Sequence, residues 1–417
     1  MSAAFVISVV QARLLLIGAV LLTACSPQAG ASPTPSASKV AVPPSATAEA
    51  TPISGDGVAL SLTAIQRLNP NVGYIAGWTG TGVGLAKTSD RGATWQRLSI
   101  PADYLTSLRF IDERVGWAGG FVTRDVAQIA CQQAAPAGAQ PCKGVVVRTE
   151  DGGHTWTTVL AIPTNGVQGE PIRQIQAVDG QRAWALTLDQ TPCTFPCLSY
   201  VQRTTDGGRS WTTLLHGQIA AIRFASASRG SVALDDTPSP GTVEVRETSD
   251  GGATWRMALR TATGNAMALD AATTDTAWLL TRDGAYCTSS NCERYALFRR
   301  QDGGLSWSYL GNPKVFTTGC SGGHLAGPLF ASPLRGWFGL DLGAGGANVG
   351  PGGILKSVDG GQTWRCATTP PNTNLVSAAD PLDVWAASED RMTQSTALYA
   401  TEDGGTMWHR LDLSSLR

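Results

Sequence analysis

Seven aspartates carry the clearest chemical signal in this sequence, because each stands five residues before a tryptophan in the pattern Ser/Thr-x-Asp-x-Gly-x-Ser/Thr-Trp. The copies are TSDRGATW (88–95), TEDGGHTW (149–156), TTDGGRSW (204–211), TSDGGATW (248–255), RQDGGLSW (300–307), SVDGGQTW (357–364) and TEDGGTMW (401–408). Two depart slightly, since Arg300 replaces the leading hydroxyl residue and Met407 replaces the later one. A carboxylate among glycines and hydroxyls could be a calcium ligand or the acid of a hydrolase.

Neither chemistry suits a pattern that recurs seven times. A calcium loop of the EF-hand type needs several oxygen ligands, whereas each copy offers one carboxylate, and seven equivalent acids cannot share one catalytic site. The pattern favours a tight turn, in which Asp accepts hydrogen bonds from amides, Gly adopts positive φ and Trp packs into a core. We therefore predict no catalytic residue, metal or cofactor, and structural boxes with Asp90, Asp151, Asp206, Asp250, Asp302, Asp359, Asp403, Trp95, Trp156, Trp211, Trp255, Trp307, Trp364 and Trp408.

The boxes divide the chain into repeats, with 44 to 61 residues between successive aspartates. Before each box lies a short apolar element such as VGWAGG (115–120) or RGWFGL (335–340), and further apolar runs stand before and after that element. Each unit therefore has strands A, B, C and D, with the box as the turn between C and D. Repeats of this length predict an all-β fold, a seven-bladed β-propeller of four-stranded antiparallel blades, over residues 58–417.

These units resemble the Asp-box, or BNR, repeat, over about residues 58–412. That repeat occurs in sialidases, sortilin-type receptors, some seven-bladed glucanases and the Ycf48/HCF136-like photosystem II assembly factors. The assembly factors are the most similar in pattern, with GW-x-x-G followed by T-x-D-G-G-x-T-W. Sialidases have six blades and an Arg-Ile-Pro motif, and this sequence contains no such tripeptide. The resemblance implies the fold strongly and the function weakly, because one fold hosts many functions.

The N-terminus predicts export and a lipid anchor. An apolar run, LLLIGAVLL (14–22), is followed by LTAC, which ends at Cys25. This arrangement resembles a bacterial lipoprotein signal over residues 1–24, whose cleavage leaves Cys25 to carry lipid. Residues 25–57 are rich in Pro, Ser and Ala and contain no aromatic side chain, so we predict a disordered tether. The chain would then be extracytoplasmic, held at the bacterial cell membrane or outer membrane.

Nine cysteines are present, and eight remain once Cys25 is assigned to lipid. An even number of cysteines in an exported chain is typical of disulfides. Proximity favours Cys131 with Cys142, Cys193 with Cys197, Cys287 with Cys292, and Cys320 with Cys366, although the sequence permits other pairings. A zinc site is disfavoured, because CTFPC (193–197) lacks the usual two-residue spacing between metal-binding cysteines and no histidine lies close by.

The cysteines also predict a working surface. In a four-stranded blade the A–B and C–D turns share one end of the disc, which we call the box face, and the B–C and D–A connections share the other, the loop face. All eight cysteines and the long insertions fall in loop-face connections. Because disulfides preorganise loops and loops carry function on rigid scaffolds, we expect binding there. Candidate contacts are Arg124, Asp125, Phe195, Arg282, Tyr286 and His324.

Composition limits the partners. Lys and Arg total 31 and Asp and Glu total 32, so the net charge of −1 gives no general attraction to nucleic acid. We expect a monomeric, non-enzymatic, lipid-anchored binding or scaffold propeller with a protein or glycan partner on the loop face. Similarity to the assembly factors suggests that it assists assembly of a membrane protein complex. The alternative is a secreted carbohydrate-binding or glycoside-hydrolysing propeller, which would place two carboxylates across a cleft.

Overall fold

Seven antiparallel sheets follow one another along the chain, and each is built from consecutive strands. The computed structural model describes residues 40–41, 61–78, 83–122, 143–163, 171–189, 198–236, 239–283, 294–301, 303, 306–314, 323–341, 352–390 and 395–416. Strand Gly73–Trp78 is typical of the strands in these sheets, since its small and aromatic residues let both of its faces be buried.

The first four blades contain these strands. Blade 1 has β2 (Ser61–Arg67), β3 (Gly73–Trp78), β4 (Val83–Thr88) and β5 (Gln96–Leu98), and blade 2 has β6 (Tyr104–Phe110), β7 (Gly116–Val122), β8 (Lys143–Thr149) and β9 (Thr157–Pro163). Blade 3 has β10 (Ile172–Ala177), β11 (Ala183–Leu188), β12 (Ser199–Thr204) and β13 (Ser210–Gly217), and blade 4 has β14 (Ile219–Phe224), β15 (Gly230–Asp235), β16 (Val243–Thr248) and β17 (Arg256–Thr261). A two-residue strand, β1 (Val40–Ala41), pairs with the outer strand of blade 3.

The last three blades follow the same order. Blade 5 has β18 (Asn265–Ala271), β19 (Ala277–Asp283), β20 (Arg294–Arg300) and β21 (Trp307–Gly311), and blade 6 has β22 (His324–Phe330), β23 (Gly336–Asp341), β24 (Gly353–Ser357) and β25 (Arg365–Ala367). Blade 7 has β26 (Thr373–Ala378), β27 (Val384–Asp390), β28 (Ser395–Thr401) and β29 (His409–Arg410), followed by a 3₁₀ turn at Ser414–Leu416.

The first strand of every blade contacts the first strand of the next, and β26 of blade 7 contacts β2 of blade 1. The seven A strands therefore form a closed inner ring, with strands B, C and D outward in order. The predicted all-β, seven-bladed propeller of four-stranded antiparallel blades is confirmed.

One hydrogen bond, repeated in all seven blades, joins the C–D turn to the A–B turn. In blade 2 the amide of Gly152 donates to the carbonyl of Arg114 at 2.7 Å, and in blade 4 the amide of Gly251 donates to Ser228 at 2.8 Å. The A–B and C–D turns thus lie on one end of the disc, which is the box face as defined above.

Among the described residues, aromatic stacking joins three pairs of neighbouring blades. Trp184 of blade 3 is fully buried and stacks on Phe224 of blade 4 with ring centroids 3.8 Å apart. Its indole N–H donates to the carbonyl of Gly251 in the blade 4 box at 3.0 Å. Trp278 stacks in the same way on Phe330, 3.5 Å away. Each strand B aromatic thus stabilises the contact with the following blade.

Blades 7 and 1 meet differently, at a junction that we call the seam. Arg67 ends β2 at the position where Phe110 and Phe330 end the A strands of their own blades. Its guanidinium lies over the ring of Trp385, with 5.6 Å to the centroid, and pairs with Asp383 at 2.6 Å. Leu411 from blade 7 packs against Gly92 of the blade 1 box. Among the described residues the ring closes through side-chain packing, since every sheet contains a D strand from its own repeat.

Candidate functional site

The box carboxylates are fully engaged within their own turns. Asp151 is representative: its Oδ1 accepts from the Thr149 hydroxyl at 2.8 Å and the Thr155 amide at 2.9 Å, and its Oδ2 accepts from the Thr155 hydroxyl at 2.6 Å. The same three bonds recur at Asp90, Asp206, Asp250 and Asp359. Asp403 keeps the bonds from the Thr401 hydroxyl and the Met407 amide, but its Oδ2 accepts from that amide as well, because Met407 has no hydroxyl. Asp302 lies outside the described residues.

These bonds hold the box carboxylates in the ionised form. Hydrogen bonds from the side chain and backbone of Thr254 lower the pKa of Asp250, and those from Thr94 lower the pKa of Asp90. Burial raises the pKa of Asp151, Asp206, Asp359 and Asp403, but hydrogen bonds to the carboxylate outweigh it and the net shift is downward. An acid with this environment stabilises a turn and is a poor proton donor at neutral pH.

Acid should therefore destabilise the propeller. A carboxyl whose folded pKa lies below its unfolded value of about 3.9 adds stability above that value and loses it as the pH falls toward the folded pKa. We expect the melting temperature to fall steadily as the pH drops below about 4. Calorimetry at a series of pH values checks this. The melting temperature of the Asp250→Asn variant should fall less steeply with pH, because that box no longer has a carboxyl group to protonate. Identical slopes for the two proteins would contradict this role of the box carboxylates.

The first glycine after the box aspartate should resist substitution. Gly251 has φ of +73°, and a Cβ there would lie 2.7 Å from the carbonyl oxygen of Ala227. Gly241 offers a matched control, because its φ of +81° carries the same backbone strain with nothing within 4 Å of a Cβ. Gly251→Ala should cost about 1–3 kcal/mol more than Gly241→Ala, because the added methyl forces the turns apart. Urea denaturation of both variants measures the difference, and equal costs would show that strain alone matters.

A second set of polar side chains surrounds the central axis. These side chains belong to the axial ring, our name for the next-to-last residue of each A strand. Six of its members are polar, and the seventh, in blade 6, is leucine: Gln66, Arg109, Gln176, Arg223, Asp270, Leu329 and Ser377. Most of these side chains bond to the backbone of the next blade. The amide of Gln66 both donates to the carbonyl of Phe110 (2.8 Å) and accepts from its N–H (2.6 Å), and Ser377 accepts from the N–H of Arg67 at 2.9 Å.

The axial ring is charged on one side. Arg223 pairs with Asp270 at 3.1 Å and also donates to Gln176 at 3.2 Å. Burial lowers the pKa of Arg109 to about 10, and the charge of Arg223 adds to this effect. Asp270 accepts in addition from the amide of Phe330 at 2.5 Å. These polar groups therefore hold the A strands together around the axis.

A third polar group lies at the loop-face end of blade 3. Asp189 follows β11, and its Oδ2 accepts from the hydroxyl of Tyr200 at 3.1 Å and lies 2.9 Å from Nε2 of His216. The rings of Tyr200 and His216 stack with centroids 4.3 Å apart. Burial raises the pKa of Tyr200, and the hydrogen bond to Asp189 adds to the shift. Tyr200 is therefore a hydrogen-bond donor at neutral pH. Sequence reasoning missed this group, because Asp189 follows β11 while Tyr200 and His216 lie on β12 and β13.

Two of the predicted loop-face contacts can be placed. Arg282 lies near the end of β19 and His324 begins β22, so both are at the loop-face end of neighbouring blades. Arg124, Asp125, Phe195 and Tyr286 lie outside the described residues, as do Cys25, Cys131, Cys142, Cys193, Cys197, Cys287, Cys292 and Cys320. Cys366 on β25 takes part in a disulfide. The predicted pairings, the lipidation and the loop-face contacts stay predictions.

Within the described ranges, three or more His, Cys, Asp or Glu side chains nowhere gather as metal ligands could. The same ranges contain no helix with the length and apolar character needed to cross a membrane.

No protein-family model matches the chain, and no curated protein matches it. Solved structures do resemble it. The structure of "YCF48 bound to D1 peptide" is 17% identical, with a TM-score of 0.50 over 79% of this chain and 91% of that one. The acylaminoacyl peptidase of Pyrococcus horikoshii is 10% identical, with a TM-score of 0.51 over 86% of this chain and 53% of that one.

An ulvan lyase of polysaccharide lyase family PL25 is 12% identical, with a TM-score of 0.48 over 89% of this chain and 99% of that one. Similarity at these identities shows the propeller fold alone. The neighbours include YCF48 as well as enzymes, so they do not by themselves decide between binding and catalysis.

Proposed function

We propose that this chain is a non-enzymatic, lipid-anchored propeller that binds a partner protein on its loop face and assists assembly of a membrane protein complex. The observation that carries the proposal is the repeated use of polar groups for rigidity. Five box carboxylates make the same set of three turn bonds, and the axial ring bonds blade to blade. A rigid disc lowers the entropy cost of presenting loops, which favours a binding scaffold.

YCF48 supports a protein partner. Its structure was solved with a D1 peptide, and the similarity to this chain spans most of both proteins. A propeller of this type can therefore hold a peptide, which fits the resemblance of the repeat pattern to that of the assembly factors. Lipid on Cys25 would keep this chain at the membrane where such a partner resides.

In-cell photo-crosslinking tests the proposal. A crosslinking residue at Arg282 or His324 reports the loop face. One at His154 or Arg209, which are exposed within the boxes of blades 2 and 3, reports the box face. We expect one membrane protein to be captured from Arg282 and His324 alone. The Cys25→Ser variant should no longer be found in the membrane fraction, and its crosslink to that membrane protein should be lost. Equal capture from both pairs of positions, or capture of nothing, would reject the proposal.

A carbohydrate-active propeller is the second candidate, and the group of Asp189, Tyr200 and His216 is the observation that favours it. A buried carboxylate that orients a half-exposed histidine beside a tyrosine could transfer protons. Hydrolysis of sialosides and β-glucans by the purified chain would test this. Cleavage that falls about a hundredfold or more in His216→Asn would support it, and no cleavage by the unaltered chain would reject it.

A further inference from the structure

The largest exposed apolar side chains are concentrated on one part of the box face. The described residues contain six large hydrophobic side chains that are exposed: Met257, Tyr309, Leu334, Val358, Leu382 and Met407. Four of them lie in the A–B and C–D turns of blades 6 and 7, and their exposed fractions are 56% for Leu334, 56% for Val358, 45% for Leu382 and 75% for Met407. Clustered exposed apolar residues mark interaction surfaces more often than scattered ones do.

The other five blades show that the fold does not require apolar residues at these positions. Leu334 and Leu382 are the A–B turn residues whose carbonyls accept the box amide. The residues with the same bond in blades 1 to 5 are polar: Asn71, Arg114, Gln181, Ser228 and Asp275. Both leucines follow a proline, in SPLRGW (332–337) and DPLDVW (380–385).

The two box residues depart from the repeat in the same way. Val358 directly precedes the box aspartate, where the other blades carry Ser89, Glu150, Thr205, Ser249, Gln301 and Glu402. Met407 stands where the other boxes carry a serine or threonine, and its backbone amide keeps the bond to Asp403 at 3.0 Å. Polar residues are compatible with both positions, so the four apolar side chains need an explanation outside the blade.

The turns that present these side chains are connected and held in place. Gly360 donates to the carbonyl of Leu334 at 2.8 Å, and Gly404 donates to Leu382 at 2.9 Å. Arg335 of blade 6 reaches the carbonyl of Pro381 in blade 7 at 3.4 Å. A Cβ on Gly404 would lie 3.7 Å from Leu382 and 3.0 Å from Arg335. Apolar groups on fixed turns lose little entropy when a partner covers them.

Charge around the patch points to one kind of occupant. The four turns carry five carboxylates, Asp359, Asp380, Asp383, Glu402 and Asp403, and one guanidinium, Arg335. With the neighbouring Arg67, Lys356 and Arg299 counted, carboxylates still outnumber cations, five to four. An anionic bilayer would be repelled, and a second copy docked through the same patch would place carboxylate against carboxylate. A segment with apolar anchors and flanking Lys or Arg complements the patch.

We propose that Leu334, Val358, Leu382 and Met407 form a docking surface on the box face of blades 6 and 7 for an apolar and basic segment of a partner protein. This surface is on the opposite end of the disc from the loop face and does not depend on what binds there. The repeat itself supplies the test variant: Leu334→Ser, Val358→Thr, Leu382→Gln and Met407→Thr place in blades 6 and 7 residues that other blades carry at the same positions.

Fluorescence anisotropy with labelled synthetic peptides tests the docking surface on the full chain. The probe is an amphipathic Leu/Lys peptide of about 14 residues, compared with a Leu/Glu peptide of the same apolar pattern. We expect the chain to prefer the Leu/Lys peptide, and the fourfold variant to lose about tenfold or more in affinity, because a few apolar anchors dominate such interfaces. A variant with Met257→Thr and Tyr309→Ser removes exposed apolar groups elsewhere and should bind as the unaltered chain does.

Three outcomes would overturn the proposal. One is equal affinity of the fourfold and unaltered chains for the Leu/Lys peptide, with matching melting temperatures. Another is a sedimentation equilibrium dimer that the fourfold variant abolishes, which would assign the patch to a second copy. The third concerns the chain without its lipid (Cys25→Ser). If this chain floats with phosphatidylglycerol vesicles and the fourfold substitution abolishes that binding, the patch would be assigned to the bilayer. If Met407→Thr alone lowers peptide affinity while the chain remains folded, the proposal is supported without the larger variant.

Discussion

Replacing Asp383 by alanine should lower the free energy of unfolding by about 3–5 kcal/mol, because it leaves the charge of Arg67 buried without its partner. The Arg67 side chain has 0% exposure and its Nη2 lies 2.6 Å from Asp383, whereas Glu402 is 3.6 Å away and half-exposed. Within the described residues, Nε and Nη1 of Arg67 have no hydrogen-bond partner. Almost all compensation for this charge therefore comes through Nη2. Urea denaturation followed by tryptophan fluorescence measures the loss.

The pair between Arg148 and Glu150 is the matched control, because its distance is also 2.6 Å but Glu150 is 68% exposed. Glu150→Ala should cost less than about 1 kcal/mol, since water already screens that pair. Adding Arg67→Met to Asp383→Ala should recover much of the loss, because the uncompensated charge is then gone. A loss for Asp383→Ala as small as that for Glu150→Ala would show that the seam does not depend on the ion pair.

The repeat made the blades predictable from the sequence. The spacing from Asp90 to Trp408 fixes where each C–D turn lies, and strand periodicity places the other three strands around it. The four-stranded blades and their number follow from local pattern alone. Every step of that prediction uses residues within one repeat, so it needs no knowledge of which repeats touch.

The seam could not be predicted in this way. Arg67 stands in a strand position that three of the other blades fill with phenylalanine and three with alanine, so a charge there departs from the apolar core pattern. Its partner Asp383 is 316 positions away in the sequence. The sequence could not predict two other polar groups for the same reason: the axial ring, and the group of Asp189, Tyr200 and His216. Their members come together only when the strands or blades are assembled.

The apolar patch could be predicted only in part from the sequence. Met407 already departs from the box pattern in the sequence, but one departure carries little weight by itself. Its significance arises when Leu334, Val358 and Leu382 prove to be exposed in connected turns of two adjacent blades. The predicted working surface was the loop face, and four of its six proposed contacts lie outside the described residues. The two faces therefore need separate experiments.

Trp184→Ala should produce a second large loss, about 3–5 kcal/mol, at a junction that uses aromatic packing instead of charge. The side chain is fully buried, stacks on Phe224 at 3.8 Å with 8° between the ring planes, and donates to Gly251 at 3.0 Å. Alanine removes the stack and the hydrogen bond and leaves a cavity between blades 3 and 4. Urea denaturation again gives the free energy, and the fluorescence of the other tryptophans reports unfolding.

Trp184→Phe separates the two contributions, because phenylalanine keeps a ring against Phe224 but cannot donate to the carbonyl of Gly251. We expect it to cost about 1–3 kcal/mol, the range for a buried acceptor that loses its partner. Tyr309→Ala is the surface control, since that ring is 61% exposed on β21, and it should change stability by less than about 1 kcal/mol. If Trp184→Phe costs as much as Trp184→Ala, the indole hydrogen bond to the next box holds these blades together. If Trp184→Phe costs nothing, ring stacking alone does so, and the seam, which replaces a stacked ring by Arg67, is then the junction where charge matters most.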